Sequence, residues 1–109
     1  MKNLNEYLNE SVFESVDSMT AEKIVYDILV KHAKINRVSV DEDTLRDIAN
    51  AVINVFDDED ILRRANKSTF DSYLEKDDYR TIFNAVETAT TAGDLDEDYC
   101  DLVYEIFGK

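Results

Sequence analysis

The sequence predicts an all-α protein, a small compact bundle of about five to seven short amphipathic helices. Three observations lead there. The 109 residues hold no Pro and only two Gly, so little interrupts a helix. Apolar residues recur at i, i+3, i+4 and i+7, the spacing that puts them on one face of a 3.6-residue helix. Acidic residues precede most of these stripes, where a carboxylate meets the positive end of the helix dipole.

Taken in order, the first stripe is Leu4, Tyr7, Leu8, Val12, Phe13 and Val16. Ser18 or Thr20 then offers a cap for a helix carrying Ile24, Val25, Ile28, Leu29 and Ala33. Asn36 to Val40 break the pattern. Asp41 or Asp43 caps a third stripe of Leu45, Ile48, Ala49, Val52, Ile53 and Phe56. Asp57, Asp58, Glu59 and Asp60 read as the acidic start of a short helix through Ile61, Leu62 and Ala65, closed by Arg63, Arg64 and Lys67. Ser68-Thr69-Phe70-Asp71 resembles a capping box ahead of Tyr73 and Leu74. Asp77 or Asp78 opens a helix with Tyr79, Ile82, Phe83, Val86 and Ala89 inward, which Gly93 stops in the left-handed conformation. Asp94 begins the last helix, bearing Leu95, Leu102, Val103, Ile106 and Phe107.

Composition sets the limits on function. The length suits one domain, with 44% hydrophobic residues supplying a modest core despite a net charge of −13. No apolar run spans a bilayer and no unbroken apolar stretch marks a secretory signal. A single Cys100 allows no intrachain disulfide, which fits a reducing compartment such as a cytoplasm. Nucleic acid and anionic membrane repel a surface this acidic, so neither is expected as a direct partner.

Catalytic and cofactor motifs are sparse, and the expectation is a protein that is not an enzyme and carries no cofactor. The sequence has no Gly-rich phosphate loop, His-Glu-x-x-His run or Cys-x-x-Cys pair. His32 and Cys100 fall in separate predicted helices, a surface imidazole and a small buried thiol. Asp94, Asp96, Asp98 and Glu105 stand where a calcium-binding EF-hand loop places oxygen ligands. Tyr99 occupies the position where that loop needs Gly, and Asp101 the place of an apolar residue, so an acidic helix start explains the run better. Asp41, Glu42 and Asp43, Asp57 to Asp60, and Asp94, Asp96, Glu97 and Asp98 together form the candidate acidic binding surface. Carboxylates displayed on a rigid helical frame can imitate the phosphates for which basic grooves are built.

The least generic stretch is the first ten residues, Met1-Lys2-Asn3-Leu4-Asn5-Glu6-Tyr7-Leu8-Asn9-Glu10. It resembles the capsid-targeting peptide of T-even-like tailed phages, which begins Met-Lys, continues Glu-aromatic-aliphatic and ends aliphatic-x-Glu. Met1 and Lys2, Glu6, Tyr7 and Leu8, and the closing Glu10 stand at the corresponding places. The resemblance implies cleavage between Glu10 and Ser11 by a head-maturation protease, with residues 11–109 as one acidic helical domain. It implies further a protein made in the host cytoplasm and drawn into the head interior, with phage head components as partners. The alternatives are an acidic, DNA-mimic-like inhibitor of a basic host nucleic-acid-binding or defence protein, and a calcium-binding helical domain. Oligomeric state is not legible in the sequence.

Overall fold

A computed structural model describes residues 16–109. The stripe from Leu4 to Phe13 and every residue of the targeting resemblance lie outside the described residues. Within them run five α-helices: α1 (Ser18–Ile35), α2 (Glu42–Asp58), α3 (Lys67–Lys76), α4 (Asp78–Thr91) and α5 (Asp98–Ile106). No strand occurs among the described residues, and the all-α bundle follows as expected.

The predicted stripes make the core. Val25, Leu29 and Ala33 of α1 meet Leu45, Ile48, Ala49, Val52, Ile53 and Phe56 of α2, all buried. Ile82, Val86 and Ala89 of α4 are buried too, and α4 packs against α2 as well. The α5 residues Val103 and Ile106 close one end, and Phe70 and Leu74 of α3 the other flank. The Phe56 ring meets Phe70 edge-on at 5.9 Å between centroids. Val16 joins the core as its backbone N–H donates to the Ala65 carbonyl at 2.9 Å.

Helix starts depart from expectation in instructive ways. Asp17 caps α1, its carboxylate accepting from the Thr20 backbone N–H at 2.7 Å, so neither Ser18 nor Thr20 is the cap. Asp41 holds the cap position of α2 without a side-chain cap bond. The capping box of α3 lies two residues before the Ser68 expected, with Asn66 and Thr69 each accepting the other's backbone N–H at 2.9 Å. Asp77 caps α4 as expected. The last helix starts at Asp98, not Asp94, after Tyr99 and Cys100 donate to the Asp96 and Glu97 carbonyls in a tightened first turn.

The largest correction concerns Asp57 to Asp60. They end α2 and do not begin a helix, and residues 61–64 form turns, not the short helix expected. Leu62 and Ala65 are nevertheless buried. The physical reason is a Schellman close. Asp60 takes a left-handed φ of 61°, its N–H donates to the Asp57 carbonyl, and Ile61 N–H reaches back to Phe56. Apolar Ile61 then folds against the core instead of continuing outward. The same paired bonds close α1 at Arg37 (φ 56°), α4 at Gly93 and α5 at Gly108. One device thus ends four of the helices.

Candidate functional site

Every residue of the three acidic runs is solvent-exposed. The runs serve different helix ends. Asp41, Glu42 and Asp43 start α2, while Asp57, Asp58, Glu59 and Asp60 finish it, about 22 Å away along the axis. Asp94 follows the close of α4, and Asp98 opens α5. As runs they do not form one cluster.

A face emerges when α2 is read around its circumference. Asp43, Arg46, Asp47, Asn50, Asn54, Asp57 and Asp58 are all exposed. At 100° per residue they fall within a stripe about 120° wide, opposite the buried stripe. Asp94 and Asp96 come alongside the middle of this stripe. Together with Glu22, Asp47, Asn50 and Asn54 they line an open concavity of about 650 Å³. Its charged lining is four carboxylates against the single guanidinium of Arg46. That guanidinium is engaged already, 2.7 Å from Glu42 and 5.9 Å from the centre of the Tyr26 ring. Asn54 donates its side-chain amide to Asn50 Oδ1 at 3.1 Å, and the Asn50 amide donates to Glu22 Oε1 at 3.5 Å.

The sequence reading found the acidic runs and missed Glu22, Asp47, Asn50 and Asn54. These are isolated in the chain and become neighbours only through the helical repeat and the return of residues 93–99. Their signal was the complement of the α2 apolar stripe, since eight core positions on one side define the exposed side.

Position on the helix bears on why the acids are there. Asp43 lies in the first turn of α2, where the dipole favours negative charge. Asp57 and Asp58 lie in its last turn, where the dipole opposes it, and no base occupies that turn. Arg64 donates to the Glu59 carbonyl at 3.4 Å and Arg63 lies 3.9 Å from Asp60, just beyond the helix. The helix dipole therefore accounts for the acids at one end of the face and not for those at the other.

The remaining candidates are dispersed. Asp98 and Glu105 occupy opposite ends of α5, about 10 Å apart along its axis, which no EF-hand loop allows. Among the described residues no group of three or more His, Cys, Asp or Glu side chains is placed to hold a metal. The His32 ring is not on the surface as expected. Its Nε2 lies 2.9 Å from Asp78 Oδ2, and its face lies 4.5 Å from Phe107, tying α1 to α4 and to the end of α5. Cys100 is half-buried with its Sγ 3.6 Å from Thr90 Oγ1, so thiol and imidazole have separate partners. No helix of the described residues is long and apolar enough to cross a membrane.

Comparison with protein-family models, with curated proteins and with solved structures yields no match to this chain.

Proposed function

We propose that this is an internal head or prohead-core accessory protein of a tailed phage, brought to the head by residues 1–10, which works by binding a basic protein surface. The N-terminal pattern supports the address. The observation that carries the binding role is the exposed face of α2, with carboxylates at both ends and Asp94 and Asp96 beside its middle. Asp57 and Asp58 stand there against the helix dipole, a placement that serves a partner better than it serves the fold. Such a face draws a cationic partner over long range and orients it on arrival.

The same face favours a second reading, an acidic inhibitor that occupies the nucleic-acid groove of a basic host protein. Its length of about 22 Å corresponds to six or so phosphates of one DNA strand. The two readings separate in infected cells. Removing residues 1–10 abolishes incorporation into heads under the first and leaves host inhibition intact under the second. The quadruple variant Asp43→Asn, Asp47→Asn, Asp57→Asn, Asp58→Asn loses binding under both. Wild-type retention of the partner by that variant contradicts the α2 face as the contact.

A further inference from the structure

A second surface, separate from the α2 face, has the makings of a binding groove. It lies between α1 and α3 and encloses about 280 Å³. Its floor is Ile24 and Ile28, one helical turn apart and half-buried, and its rims are Asp27 on one side and Asp71, Glu75 and Asp78 on the other. Lys31 is the one cation in the lining, and it makes no ion pair with those rims.

The rim acids differ in how well the fold satisfies them. Asp27 has Lys23 at 3.1 Å, and Asp78 has His32 at 2.9 Å. Asp71 and Glu75 have no ion-pair partner among the described residues. They are like charges at i, i+4 on α3, an arrangement that repels. Glu75 also sits in the last turn of α3, where the dipole adds to the penalty. A cation placed between them relieves both effects, while an aliphatic side chain beside it covers Ile24 and Ile28.

We propose that the α1–α3 groove binds a basic amphipathic helix of a partner protein, with an aliphatic anchor on Ile24 and Ile28 and a Lys or Arg between Asp71 and Glu75. This rests on the reading of the protein as a binder of basic partners and adds where and in what form the partner docks. The chain itself is a poor occupant. Residues 1–15 carry Glu6, Glu10 and Glu14 against Lys2, and a second copy brings another net charge of −13. The groove follows α1 from Ile24 to Lys31, about 10 Å, which matches two turns of a docked helix.

The test uses the full chain and two synthetic peptides of equal length and equal Lys content, one with Leu at i, i+3, i+4 and i+7, one with Ser there. Calorimetry is expected to show the Leu peptide binding at least tenfold more tightly than the Ser peptide. Asp71→Asn with Glu75→Gln is expected to weaken the Leu peptide at least tenfold, and the melting temperature of that free variant to rise because the repulsion is gone. Equal binding of the two peptides overturns the proposal. So does loss of Leu-peptide binding in the α2-face variant with none in the α3 variant, an outcome that leaves the α2 reading standing. Absence of binding by every basic peptide removes both.

Discussion

At the scale of single residues, the left-handed helix ends are the most exposed to test. Arg37 and Asp60 hold φ near 60° with a Cβ present. An L-residue in that conformation carries a strain of about 1 kcal/mol that Gly avoids. Arg37→Gly and Asp60→Gly are therefore each expected to stabilise by about 1 kcal/mol, a rise of roughly 4–8 °C in Tm for a domain of this size. Thermal unfolding checks this, and a fall in Tm contradicts it. The two native Gly at such ends are unequal. A Cβ on Gly93 meets nothing within 4 Å, whereas on Gly108 it lies 2.6 Å from Asn36 Oδ1. The Asn36 amide donates to both the His32 and Ile106 carbonyls, joining the ends of α1 and α5. Gly108→Ala thus combines the φ strain with damage to those bonds, and is expected to cost about 1 kcal/mol more than Gly93→Ala in the same assay.

At the scale of helices, the starts are predicted to be electrostatic and the α2 end to be a compromise. Thr20 donates to Asp17 from its backbone N–H and holds that carboxyl below its ordinary value of 3.8. A carboxyl lowered in the folded state contributes stability that is present above the unfolded value and is lost as pH falls through the folded one. The Asp17→Asn variant is accordingly expected to lose stability at neutral pH and to converge with wild type below the folded pKa; parallel curves down to low pH contradict the cap. In α2 the sign of a charge change is predicted to depend on position. Asp57→Asn and Asp58→Asn stabilise by about 0.5 kcal/mol each, and Asp43→Asn destabilises by a similar amount, as chemical denaturation will show. Helix interiors were legible in the sequence because the Leu45–Phe56 and Ile82–Ala89 stripes obey one period. The Asp57–Asp60 junction was not. An acidic run looks the same before a helix as after one, and only the apolar contact of Ile61 with the core decides that the chain turns back.

For the molecule as a whole, a net charge of −13 on a 109-residue chain means self-repulsion that the core must outweigh. Raising salt from about 10 mM to about 0.5 M screens it and is expected to raise the melting temperature while weakening any complex with a basic partner. Opposite responses of stability and binding are the signature of acids kept for recognition; equal insensitivity of both contradicts it. The acidic character was plain from composition, but the α2 face was not. It needs α1, α2 and the 93–99 segment brought together, and single-chain periodicity carries no information on which loop lands beside which helix. The α1–α3 groove was hidden for the same reason, since Asp71 and Glu75 are unremarkable until Ile24 and Ile28 lie next to them.

The measurement that bears most directly on the account is the intact mass of this protein in purified virions and in infected-cell extract. The account predicts virion material that lacks residues 1–10 and begins at Ser11, beside the full-length chain in the extract. Protein confined to the extract contradicts residence in the head and leaves the acidic inhibitor as the reading that the α2 face supports.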